Sequence, residues 1–204
     1  MHPNPTFRTT PDDQSLAFVR TRAFGTLAVN GADGPLLAHV PILLSDDAGS
    51  ADLHLVRSNP ILRCLPADVV ISVMGPDGYV SPDWYGVDDQ VPTWNYVAVH
   101  LRGRLEILAS DDMRDMLDRQ SADAEGHLAP KPAWKTDKMT PDLLDRMMRQ
   151  IVPCRLTITT IDSTWKVSQN KPEDVRLRAA DELEQAGLRP DAAQLAALMR
   201  KPPA

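Results

Sequence analysis

Residues 24–44, FGTLAVNGADGPLLAHVPILL, constrain the fold more than any other stretch. Two apolar runs flank a Gly/Asn/Asp segment, and those residue types tolerate the backbone of a tight reversal. The pattern predicts an antiparallel hairpin. A second turn, SDDAGSA, leads into a third short strand, DLHLV. Further on, DVVISVMG reads as a buried strand and GYVSPDWYG as a short strand breaking at Pro82. Residues 95–109 form the longest strand candidate, preceded by a Pro-introduced turn that carries Thr93, Trp94, Asn95 and Tyr96. PCRLTITTIDSTWKV, rich in β-branched residues, predicts one more long strand.

Helices fill the gaps without alternating with the strands. Thr10-Pro11-Asp12-Asp13 opens one, with Thr as cap, Pro in the first turn and acidic residues at the positive end of the dipole. SNPILRCL predicts a short helix, SDDMRDMLDRQSADAEG an acidic one, and Thr140-Pro141-Asp142 starts another that ends near Gln150. Residues 127–139 read as loop, and two helices split by Gly187 and Pro190 close the chain. This order argues against a doubly wound α/β fold. It predicts a mainly antiparallel β fold with helices (α+β), as a barrel or sandwich.

A chain of 204 residues with 43% hydrophobic content can build one real core, with or without a helical appendage. The net charge of −6 argues against a broad nucleic-acid footprint. No apolar run approaches the roughly 20 residues of a membrane span, and MHPNPTFRTT lacks the regions of a signal peptide. Cys64 and Cys154 sit alone in apolar surroundings, as free thiols in a cytoplasmic protein would. There is no Walker loop, no G-x-G-x-x-G and no nucleophile elbow. His2, His39, His54, His100 and His127 show no metal-ligand spacing, so no metal is expected.

Polar residues with aromatics do recur at strand ends. Arg57 and Ser58 in HLVRSNP could donate to a phosphate, although simple N-capping accounts for the same residues. GYVSPDWYG gathers Tyr79, Trp84 and Tyr85, and TWKVSQNK ends the last long strand with a run of donors.

Taken together, GYVSPDWYG, VPTWNYVAVHLRG, FGTL, AHVPILL, RSNP and WKVSQNK closely resemble the PaiB-like FMN-binding negative transcriptional regulators. The likeness runs from about residue 4 to residue 199. It implies an FMN-binding split barrel over residues 1–170 and a helical tail over residues 171–204, packed on the barrel or on a dimer partner. It further implies a homodimer with FMN between subunits, and repression of sporulation and protease genes. A flat isoalloxazine needs an aromatic or apolar floor and amide groups at its polar edge. Ala38, His39, Val40, Trp94, Asn95 and Tyr96 are assigned to that ring on this basis. Arg57, Ser58 and Asn59 are assigned to the phosphate, although the family commonly has a small residue where this chain has Arg57. Gln169 and Asn170 are expected to reach the site from the partner. A flavin-dependent oxidoreductase, or a haem-binding or haem-degrading relative, are the alternatives, and no catalytic residue is assigned. The tail helix PDAAQLAALMR lacks the polar N-terminal residues of a DNA-reading helix. Binding to DNA is implied by the resemblance alone.

Overall fold

The structure, a computed structural model, describes residues 1–203. The strands are β1 (Phe24–Gly31), β2 (Gly34–Pro41), β3 (Leu43–Leu44), β4 (Ser50–Val56), β5 (Ala67–Val80), β6 (Thr93–Ile107) and β7 (Ile151–Lys166). They form one seven-stranded sheet in the order β2-β1-β5-β6-β7-β4-β3. The helices are α1 (Asp12–Arg22), α2 (Asp112–Gly126), α3 (Pro141–Met148), α4 (Glu173–Ala186) and α5 (Ala192–Arg200). The chain divides into two compact units. The first holds Met1–Val19, Val73–His100 and the residues from Ile161 onward; the second holds Arg20–Ser72 and Leu101–Thr160.

In the second unit the expected hairpin is β1–β2, antiparallel with Gly31 opposite Gly34. Gly34 has φ +123°, a conformation that L side chains rarely adopt, so glycine closes the turn. Strand alternation sends Leu27 and Val29 into a core with Leu53, Ile71, Leu101, Leu105 and Leu156. Asp52 lies in that interior at 3% exposure. It accepts from Arg155 Nε at 2.6 Å, Arg155 Nη2 at 2.9 Å and Arg119 Nη2 at 2.8 Å, tying α2 to β4 and β7. Burial alone would raise its pKa, but the hydrogen bonds from Arg155 and Arg119 outweigh it and hold the carboxyl below its usual value.

In the first unit, α4 and α5 pack with Val80, Tyr85 and Val167 through Val175, Ala179, Leu183, Leu195 and Met199. Gly187, at φ +55°, ends α4 in the left-handed conformation common just past a helix. Gly78 lets α5 come close: a Cβ there would meet Leu195 Cδ2 at 3.0 Å.

Several sequence expectations are corrected. The strand expected over 68–75 and the short one expected from Gly78 to the break at Pro82 are one continuous β5, Ala67–Val80. Gly75 and Pro76 are both buried, so the in-out alternation slips by one and Met74 and Tyr79 both end up exposed. A side chain at 75 would press within 2.8 Å of Phe18 and Val97, which is why glycine sits inside a strand. The TWNY stretch is not a turn, because β6 already begins at Thr93. The longest strand is β7 at 16 residues, against 15 for β6. Residues Pro60–Cys64 form a 3-10 turn, and Thr136–Lys138 another within the expected loop.

Candidate functional site

The first unit presents a polar and aromatic cluster on β5, β6 and the end of β7. Trp94 faces outward on β6, 47% exposed. Its Nε1 donates to Asp77 Oδ1 at 3.0 Å, which fixes the indole plane. Asp77 is itself held by Arg189 Nη2 at 3.1 Å. Tyr79 lies edge-on to Trp94, with ring centroids 6.3 Å apart at 65°. One residue along β6, strand alternation turns Asn95 inward to full burial. Its Nδ2 donates to Ser168 Oγ at 2.9 Å, and Ser168 Oγ also meets Tyr85 OH at 3.2 Å. Asn95 Oδ1 is buried with no hydrogen-bond partner among the described residues. Ser168 has φ +62°, uncommon for a residue with a side chain and often a mark of a functional site.

Lys166 completes the cluster. Its Nζ donates to Thr93 Oγ1 and, at 3.0 Å, to the carbonyl of Trp94. Burial pushes its pKa down. Gln169 is spent within its own subunit: it accepts from Val167 N at 2.9 Å and donates to the carbonyls of Trp165 at 2.5 Å and Thr6 at 3.2 Å. Asn170 is exposed and Tyr96 half-buried. Lys166, Ser168 and Asp77 escaped the sequence reading. The first two lie in WKVSQNK, where a strand-end run of donors was visible; Asp77 carried no signal.

The second unit holds the other assigned residues. Ala38, His39 and Val40 follow one another on β2, so their side chains alternate between faces. Val40 is core, and His39 is exposed with Nδ1 3.1 Å from Thr26 Oγ1 on β1. Of the three, only the His39 side chain is well exposed. Arg57 Nε donates to the carbonyl of Arg149 at 2.7 Å and Nη2 to that of Ile151 at 3.2 Å, clamping the entry to β7. Asn59 Oδ1 accepts from Ile61 N at 3.0 Å, so it caps the 3-10 turn. Ser58 is exposed, as is Arg63 later in that turn.

His54 is half-buried on β4: burial lowers its pKa, partly offset by its contact with Gln120 Oε1 at 3.2 Å. Both cysteines are free, and burial pushes the Cys154 thiol up to about 12. Among the described residues no cluster of His, Cys, Asp and Glu could hold a metal, and no helix is long and apolar enough to cross a membrane.

The family described as "Putative FMN-binding domain" matches residues 1–160. "Protease synthase and sporulation protein PAI 2" of Bacillus subtilis is 31% identical over 197 residues, covering 95% of this chain and 93% of the relative. The FAD and haem binding protein from Mycobacterium smegmatis superposes with a TM-score of 0.57 at 20% identity, over 89% of this chain and 80% of that one. The flavocytochrome Anf3 from Azotobacter vinelandii gives 0.59 at 12% identity, over 85% and 77%. At these identities the structural likeness speaks for the fold, an α+β split barrel.

Proposed function

Because the chain belongs to the FMN-binding domain family, we propose that it works as a homodimeric, cytoplasmic flavin-binding regulator of the PAI 2 kind. The observation that carries the ring site is the outward Trp94, its plane fixed by Asp77 and its ring edge-on to Tyr79. These residues fit a flavin in chemistry. Trp94 and Tyr79 offer exposed aromatic surface, and Asn95, buried on the opposite face of β6, holds Ser168 Oγ behind it. Lys166 would place a cation beside the Thr93–Trp94 backbone that borders the ring, where charge tunes flavin electronics. Tyr96 and Asn170, in the same unit, complete the proposed ring environment there. In the second unit, Ser58, with the positive charge of the clamped Arg57 and the Asn59 segment, is proposed as a phosphate-binding segment in its own right. FMN, when bound, would supply electron-transfer chemistry that no side chain of the ring site can supply.

The regulator role is proposed from the similarity to PAI 2. The apolar face of α5, with Ala192, Leu195, Ala196 and Met199 buried, is occupied by packing. Contact with DNA would need another surface.

The experiment is a titration of the purified protein with FMN and with riboflavin, followed by flavin absorbance and fluorescence. FMN should bind at least tenfold more tightly, since a read phosphate contributes charge-assisted hydrogen bonds. Equal affinity would show that no phosphate is read. A Soret band in the protein as purified would favour the haem alternative.

A further inference from the structure

Apart from the residues assigned to the flavin, the second unit carries a cleft of about 420 Å³ lined by β1, β2, β5, β6 and β7. Its polar lining is Arg102, Arg104, Thr159, Thr160, Asn30 and Asp68, and its apolar lining includes Ala28, Val29 and Val70. Arg102 and Arg104 are two apart on β6 and both exposed, so they project from one face at a spacing of about 7 Å. Two guanidinium groups projecting from positions that close on one face can share a single oxyanion. The protein offers them little counter-charge of its own. Arg104 Nη1 has Asp68 Oδ1 at 3.5 Å, the limit of a hydrogen bond, and the Asp68 side chain is 88% exposed. The Arg102 guanidinium has no hydrogen-bond or ion-pair partner among the described residues.

The wall on β7 is irregular in a way that matters. Consecutive residues of a regular strand point to opposite faces, yet Thr159 and Thr160 are both exposed and both line the cleft. Thr159 Oγ1 makes a long 3.3 Å bond to the Arg102 carbonyl. Thr160 adds a second hydroxyl. Gly103, between the arginines, permits this approach: a Cβ there would lie 1.9 Å from the carbonyl oxygen of Thr157.

We propose that this cleft binds a small molecule with an oxyanion head and a flat apolar body, separate from the flavin. The oxyanion lies between Arg102 and Arg104 with a threonine hydroxyl, and the body lies against Ala28 and Val70. The proposal does not depend on flavin binding, because none of the residues it uses is assigned to FMN.

The test is calorimetric titration of the purified chain, with and without FMN, using phenyl phosphate, benzoate and inorganic phosphate. Binding of phenyl phosphate or benzoate is expected, and comparing the two distinguishes a phosphate head from a carboxylate head. Inorganic phosphate should bind at least tenfold more weakly than phenyl phosphate, because it lacks the apolar body. The double variant Arg102→Ala/Arg104→Ala should lose at least tenfold in affinity for the probe while FMN affinity and the thermal midpoint hold. Arg102→Lys/Arg104→Lys, which keeps charge but not the planar fork, should fall between. No binding of either aromatic probe to the wild type overturns the proposal, as does unchanged affinity in the alanine variant. A tenfold loss of FMN affinity in that variant would also overturn it, by making the cleft the flavin's own phosphate site. A chain that binds phenyl phosphate but no FMN would refute the proposed flavin function and leave this one standing.

Discussion

Trp94 and Asn95 are neighbours in sequence with opposite structural duties, and their substitutions should separate function from folding. The indole is 47% exposed and gives up one hydrogen bond, to Asp77, when removed. Trp94→Ala should therefore cost about 1 kcal/mol of apo stability, well under the ~3–5 kcal/mol of a buried tryptophan. Its flavin affinity should fall about fivefold or more, the equivalent of ~1 kcal/mol of aromatic contact. Asn95→Ala removes a fully buried amide and strands part of the Ser168–Tyr85 pair. It should cost roughly 1–3 kcal/mol of stability in addition to any loss of affinity. Denaturant midpoints of the apo proteins, measured beside FMN titrations, check both. A large stability loss with normal FMN affinity for Trp94→Ala would make the residue a packed corner and remove it from the site. Trp94 and Asn95 stood out in the sequence because polar and bulky aromatic residues were crowded into one short stretch. Their division of labour did not, because it depends on the strand starting at Thr93, and strand phase is set by pairing with neighbours distant in sequence.

Two elements should be sensitive for reasons the sequence hid. Gly103 looks like any glycine in a strand, yet the β6–β7 approach leaves no room for a methyl group there. Gly103→Ala should cost about 3 kcal/mol, at the upper end of overpacking. For a chain of this size that is a fall of roughly 6–12 °C in Tm, readable by calorimetry. Asp52 opens the DLHLV run, which reads only as a short strand. Three donors from β7 and α2, remote in sequence, make it a buried anchor. Its pKa is lowered in the fold, so the unfolded chain binds more protons as pH drops through the carboxylate range. The stability it contributes is present above about pH 4, near the unfolded value of a carboxyl, and is lost as pH falls through the folded pKa. Asp52→Asn should be less stable than wild type at pH 7 by about 2 kcal/mol, discounted because both arginines are 43% exposed. That gap should shrink between pH 4 and pH 3 in denaturant titrations. A gap independent of pH would mean that the charge contributes nothing. The hairpin, by contrast, was legible from residues 24–44 alone, because turn chemistry and alternation are local.

At the scale of the whole molecule, local patterning and family likeness conveyed the α+β split barrel, whereas which surfaces are left uncovered could be seen only in three dimensions. Phe24 on β1 and Leu37 on β2 are 53% and 62% exposed, and Val56 at the end of β4 is 55% exposed. Single exposed apolar residues are ordinary, but large ones recurring on the strands of one sheet suggest an interface. A stable dimer buries about 1,600 Å² in total, and a charge placed inside its apolar core is strongly disfavoured. The wild type should sediment at twice the chain mass at micromolar concentration. Leu37→Glu should shift it toward the monomer while the far-ultraviolet circular dichroism stays unchanged, since a side chain 62% exposed carries little of the fold. If the flavin is shared between subunits, the same variant should lose at least tenfold in FMN affinity, and raising protein concentration should restore part of it, because binding is then linked to assembly. A wild-type monomer that binds FMN at full affinity would place the flavin within one subunit. A Leu37→Glu protein that remains dimeric would put the interface on a different face.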